Sequence, residues 1–175
     1  MQPAEIWHCL DGAVAMRVLF VNPNKIKPPI APIALDYLAD PLSAAGHEPL
    51  LVDLCFEPDA QHALKRTIDL LDPDLIGITI RNTDDCYFSS RRFFLPEVRD
   101  LVSLIRNLSG APIVLGGVGY SVAPKSILKF CDADYGIAGD GELALVELAN
   151  ALQSHKDPRT IPGLCCIVGG QVPIT

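Results

Sequence analysis

Hydrophobic residues follow two alternating rhythms along this chain. Short runs are apolar almost without a break: "RVLFV" (17–21), "PLLVDL" (49–54), "LIGITI" (75–80), "PIVLG" (112–116) and "DYGIAG" (134–139). Between them, apolar residues recur at helical spacing. Leu35, Leu38, Leu42 and Ala45 form one such stripe, stopped by Gly46. Ala60, Leu64, Ile68 and Leu71 form the next, ended by "DPD" (72–74). Val98, Leu101, Val102, Ile105 and Leu108 precede Gly110, a short helix follows around 124–130, and "ELALVELANALQ" (142–153) is the last. Strands that are apolar on both faces are buried on both faces. The pattern therefore predicts five parallel strands covered by helices on each side.

The expected fold class is α/β: a flavodoxin-like (Rossmann-like) three-layer sandwich with a five-stranded parallel sheet in the order 2-1-3-4-5. Right-handed crossovers leave few other topologies. "PGLCCIVGGQVPI" (162–174) reads as a C-terminal hairpin turning at Gly169 and Gly170. Residues 1–15 read as an N-terminal extension, 16–160 as the domain, and 161–175 as a linker toward something longer. In such sheets ligands sit at the carboxyl ends of the strands, near the switch between the first and third.

Composition narrows the function. The 175 residues carry a net charge of −7, and no basic patch is visible, so nucleic acid is not an expected partner. No apolar run is long enough to cross a membrane, and the first residues do not read as a secretory signal, so the expected setting is the cytosol. The six cysteines contain no Cys-x-x-Cys pair and the four histidines are scattered, so no local metal site is expected. Walker A and Gly-x-Gly-x-x-Gly motifs are missing.

Four loops at the expected ligand edge carry the candidate chemistry. "NPNKIKPPIAP" (22–32) holds four prolines and is longer than a plain strand-to-helix turn requires. "RNTDDCYFSSRRFFLPE" (81–97) crowds Arg81, Asn82 and Thr83 at a strand end and adds aromatic surface. "GGVGY" (116–120) places Gly116, Gly117 and Gly119 after a strand. One glycine suffices for a tight turn, whereas three suggest a flat group lying against the main chain. "GDGE" (139–142) places Asp140 and Glu142 at a helix N-terminus, where negative charge is welcome but a phosphate would be repelled.

Taken in order, these segments resemble the N-terminal cobalamin-binding domain of cobalamin-dependent radical S-adenosylmethionine enzymes. "VLFVNPN" with "APIALDYLADPLSAAGHEPLLVDL", "PDLIGITI", "IVLGGVGYSVAPKSIL" and "YGIAGDGELALVELANAL" carry the likeness, and "IPGLCCIVGGQV" is similar to the family's linker hairpin. The resemblance covers roughly residues 16 to 174. It implies a cobalamin whose dimethylbenzimidazole tail leaves cobalt and lies beside the sheet. Gly116, Gly117 and Gly119 would then form its slot, and Thr79 or Thr83 would hydrogen-bond it. Gly139, Asp140, Gly141 and Glu142 would face the nucleotide end. Asn22, Asn24, Arg81, Asn82 and Tyr120 would meet the corrin amides.

One departure matters. Mutases and methionine synthase carry Asp-x-His-x-x-Gly after the first strand, with the histidine on cobalt. Here the span reads "NPNKIK" (22–27). The resemblance therefore implies a base-off cobalamin without a histidine ligand, its lower face toward water, Asn24, Lys25 or Arg81. It also implies a parent enzyme, a methyltransferase or related radical enzyme, whose own C-terminal radical domain holds a [4Fe-4S] cluster and S-adenosylmethionine. The Cys-x-x-x-Cys-x-x-Cys motif for that cluster is missing from this sequence, so this stretch alone generates no radical. Two alternatives stand beside this reading: a flavodoxin-like domain for another nucleotide-like ligand, and a non-catalytic cobalamin carrier or sensor.

Overall fold

A computed structural model of the chain describes residues 15–90 and 92–167. Strands Arg17–Asn22 (β1), Glu48–Asp53 (β2), Leu75–Thr79 (β3), Ile113–Gly116 (β4), Tyr135–Ile137 (β5) and Leu164–Cys166 (β6) form one sheet. Its order is β2-β1-β3-β4-β5-β6. The first five strands pair in parallel, with Val21 opposite Val52 and Ile78, and Ile78 opposite Leu115. The expected order 2-1-3-4-5 is thus present, but the sheet has six strands.

The sixth strand adds to the expected five. The segment expected to begin a C-terminal hairpin extends the main sheet, antiparallel to β5, with Cys165 opposite Gly136 and Leu164 opposite Ile137. Ile161, Leu164 and Cys165 are buried in the domain core. The turn at Gly169 and Gly170 lies outside the described residues, as does most of the 1–15 extension.

Helices Ile33–Ala44 (α1), Ala60–Leu71 (α2), Leu95–Leu108 (α3), Val118–Ser121 (α4), Pro124–Cys131 (α5) and Glu142–Gln153 (α6) cover the sheet. Alternation along the strands divides the core into two. Leu19 and Val21 face one side, packing with Leu64, Ile68, Val98, Val102 and Ile105 from α2 and α3. Val18 and Phe20 face the other, packing with Leu35 and Leu42 of α1 and Leu145 and Leu148 of α6. Burying aliphatic side chains on both faces contributes about 1.5–3 kcal/mol for each one fully enclosed. Helix α2 starts where Asp59 accepts a hydrogen bond from the His62 amide at 3.0 Å, and ends at Asp72 in the left-handed region. No helix among the described residues is long and apolar enough to cross a membrane.

Candidate functional site

Helix α1 leaves β1 toward one face of the sheet, and the chain after β3 leaves toward the other. The carboxyl ends of the strands therefore open into two cavities. One, of about 410 Å³, lies between the sheet and the α1/α6 layer. Phe20, Gly77 and Val114 line it from the sheet, Leu35 and Leu38 from α1, and Leu145 from α6. Gly116, Gly117, Gly139, Asp140, Gly141 and Glu142 also line it. Its volume falls in the range of about 300–1,000 Å³ that small-molecule sites occupy.

The second cavity, of about 560 Å³, opens between α2 and α3. Leu54, Ile80, Val98 and Leu101 give it apolar walls; Asn24, Lys25, Arg81 and Asn82 supply polar groups from the loops after β1 and β3. Thr79 lines both cavities, as the last residue of the strand that separates them.

The three glycines after β4 do three different things. A Cβ built on Gly116 meets no atom within 4 Å, so this position opens directly into the first cavity. Gly117 has φ +96° and ψ 172°, a backbone region essentially restricted to glycine. A side chain there would also lie 2.8 Å from the Ile80 carbonyl oxygen. Gly119 is buried, and its Cβ would lie 2.9 Å from Ile80 Cγ2 and 3.0 Å from the Asn82 carbonyl carbon. Gly119 is therefore a packing glycine rather than part of the slot expected for it.

Two further candidates lie behind the cavities. Tyr120 lines neither of them. It is fully buried, and a Cβ at Gly136 would fall 1.9 Å from its hydroxyl oxygen. Among the described residues that hydroxyl has no nitrogen or oxygen partner; its polar neighbour is the Cys165 thiol, and burial pushes the phenol far above its ordinary range. Asn22 is 2% exposed and spent internally. Its amide donates to Asp53 Oδ1 at 2.9 Å and its oxygen accepts from the Asn24 amide at 3.2 Å, tying the ends of β1 and β2 together.

The remaining candidates stay at the edge. Asn24 is half-buried, lines the second cavity, and its side-chain oxygen accepts from the Ile26 amide at 3.1 Å, which fixes the loop. Lys25 and Arg81 are exposed; Asn82 and Thr83 are half-buried. Thr83 accepts through its backbone oxygen from Phe94, within a loop closed by an Asp84–Phe93 bridge. Gly139 turns at φ +87° with no atom near its missing Cβ. Helix α6 starts at Gly141 without a side-chain cap, so neither Asp140 nor Glu142 is spent as one. Both are exposed at the cavity mouth.

No described histidine lines either cavity: His47 is buried between the β2 start and α6, His62 lies in α2 and His155 follows α6. Among the described residues no group of three His, Cys, Asp or Glu side chains is arranged to hold a metal ion.

Sequence reasoning missed the other half of the first cavity. Leu35, Leu38 and Leu145 read as ordinary core positions, and their helical spacing gave no sign that they wall an opening. Ser121 was also missed. Its place just past the glycine run "GGVGY" was the available signal.

The family model described as "B12 binding domain" matches residues 21–149. The chain belongs to the B12-binding domain family. The matched span of this B12-binding domain runs from the end of β1 through most of α6 and contains both cavity linings apart from Phe20. The tryptophan 2-C-methyltransferase of Streptomyces laurentii is 39% identical over 150 residues, covering 84% of this chain and 25% of that protein. The hopanoid C-3 methylase of Methylococcus capsulatus is 26% identical over 166 residues, covering 90% of this chain and 30% of that protein. The radical S-adenosylmethionine methyltransferase TsrM from Kitasatospora setae, solved with cobalamin and a [4Fe-4S] cluster, superposes with a TM-score of 0.87 at 39% identity. That match covers 91% of this chain and 28% of TsrM. The chain thus spans about a quarter of the length of these methyltransferase relatives.

Proposed function

We propose that this domain binds cobalamin base-off, with the nucleotide tail in the 410 Å³ groove and the corrin over the strand ends. The observation that carries the reading is the open groove beside Gly116, walled by α1 and α6, in a chain of the B12-binding family. The residues present fit such a group. Leu35, Leu38, Val114 and Leu145 offer apolar walls to a heterocycle, and Gly116 leaves room beside the main chain. Thr79 places a hydroxyl on the strand between the cavities, where it would hydrogen-bond the tail. Gly139, Asp140, Gly141 and Glu142 would meet the ribose end with acceptors and open backbone. Asn24, Lys25, Arg81, Asn82 and Thr83 would meet the corrin rim.

Asn22, Gly119 and Tyr120 support this site from behind and do not touch the ligand. With no histidine among the described residues at either cavity, the protein would leave the lower face of cobalt to water, Asn24, Lys25 or Arg81. When bound, cobalamin supplies a cobalt centre able to carry a methyl group, and weak lower ligation would favour its transfer. The parent protein would be a radical S-adenosylmethionine enzyme, a methyltransferase or a related enzyme. Its further domain would hold the [4Fe-4S] cluster and S-adenosylmethionine.

The test is direct. The 175-residue chain is mixed with hydroxocobalamin and desalted, and the visible spectrum is recorded. Retained colour without a protein nitrogen on cobalt is the expected result. A colourless sample would return the domain to another nucleotide-like ligand, and a nitrogen-ligated spectrum would overturn the ligand-free lower face.

A further inference from the structure

The groove has one joint that backbone pairing does not make. Strands β4 and β5 are matched at Val114–Tyr135 and Leu115–Gly136, and their pairing stops there. Beyond it the two chains diverge, turning at Gly117 (φ +96°) and Gly139 (φ +87°). The loop after β4 is tied to β3 by main-chain bonds: the Ile80 amide donates to the Gly116 oxygen at 2.7 Å, and the Gly119 amide donates to the Ile80 oxygen at 2.8 Å. Toward β5 the tie is a side chain. The Ser121 hydroxyl donates to the Gly117 oxygen at 3.2 Å and accepts from the Gly139 amide at 3.0 Å.

We propose that Ser121 is a positioning residue that sets the width of the tail groove, and through it the preference for corrinoids that carry a nucleotide tail. This inference rests on the cobalamin reading above. Ser121 is half-buried and lines the groove between its two glycine turns. The hydroxyl uses its one proton on Gly117 and a lone pair on Gly139, so both turns are held through a single oxygen. Buried Tyr120 holds the same short helix from the opposite side, against Gly136 of β5. The Gly139 turn is thus fixed relative to Gly117 by one replaceable group. It carries Asp140, Gly141 and Glu142, the residues at the groove mouth.

The test compares wild type, Ser121→Ala and Ser121→Thr in the 175-residue chain. Amide exchange at Gly139 in the unliganded chain reads the joint itself. Binding of hydroxocobalamin and of aquocobinamide, the corrinoid without the nucleotide tail, reads its consequence. Ser121→Ala is expected to exchange faster at Gly139 and to hold cobalamin about fivefold less tightly, as one lost hydrogen bond implies. Its affinity for cobinamide is expected to stay within about twofold, the change proper to a surface substitution. Ser121→Thr keeps the hydroxyl and is expected to restore both readouts. Equal weakening for the two corrinoids, or unchanged exchange at Gly139, would overturn the role of Ser121 while leaving the cobalamin reading intact. Wild type that retains neither corrinoid would overturn that reading, and this inference with it.

Discussion

Alanine at Gly116, Gly117 and Gly119 places the same methyl group in three different surroundings. At Gly116 it meets nothing within 4 Å. The unfolding free energy should move by no more than about 0.5 kcal/mol, or rise slightly through a stiffer unfolded chain. At Gly119 the methyl would sit 2.9 Å from the Ile80 oxygen and 3.0 Å from the Asn82 carbonyl carbon, both backbone atoms that cannot swing aside. Overpacking of that kind costs about 1–3 kcal/mol. At Gly117 the same crowding, 2.8 Å to the Ile80 oxygen, adds to a backbone angle of +96°. Strain there costs about 1–3 kcal/mol more, for roughly 2–6 in all. Urea unfolding followed by far-ultraviolet circular dichroism, with the slope checked for constancy, measures each difference. A fourth variant, Gly116→Phe, projects a ring into the groove. It should fold like wild type yet fail to retain hydroxocobalamin after desalting. Equal costs at the three positions, or a Gly116→Phe protein that keeps the cofactor, would refute the division between open slot and packed scaffold.

Other consequences follow from the buried groups behind the site. Gly136→Ala should destabilise by about 1–3 kcal/mol, since its methyl would fall 2.2 Å from Tyr120 Cζ; Tyr120→Leu in the same chain should recover part of that loss in a double-mutant cycle. Wild-type stability in Gly136→Ala would contradict the packing. Iodoacetamide at pH 8 should label exposed Cys86 far faster than Cys131, whose buried thiol is pushed up to about 11 and is therefore only about 0.1% thiolate. The Cys86 thiol is itself raised by Asp84, so its lead comes from access rather than acidity. Peptide mass spectrometry resolves the sites, and comparable native-state labelling at Cys131 would rule this out.

The sequence by itself determined the layered α/β fold and the order of its first five strands. Those features rest on local period: apolar runs such as "LIGITI" can be buried on both faces only inside a helix-covered sheet, and short connections leave few ways to wind it. It also located the edge where the site lies, because the long loops and glycine runs fall after the same ends of the strands. The tertiary structure decided what each residue does there. Asn22 resembles Asn24 in sequence, yet one is consumed by Asp53 and the other remains at a cavity. Tyr120, expected against the corrin amides, is fitted against Gly136 from a strand sixteen residues away along the chain. "PGLCC" reads as the start of a hairpin and also supplies a sixth strand, because β5 presents an unpaired side to it. Gly116, Gly117 and Gly119 are one letter repeated. Nothing lies opposite Gly116, whereas Gly117 and Gly119 both meet Ile80 just past the end of β3, a residue far from them in sequence.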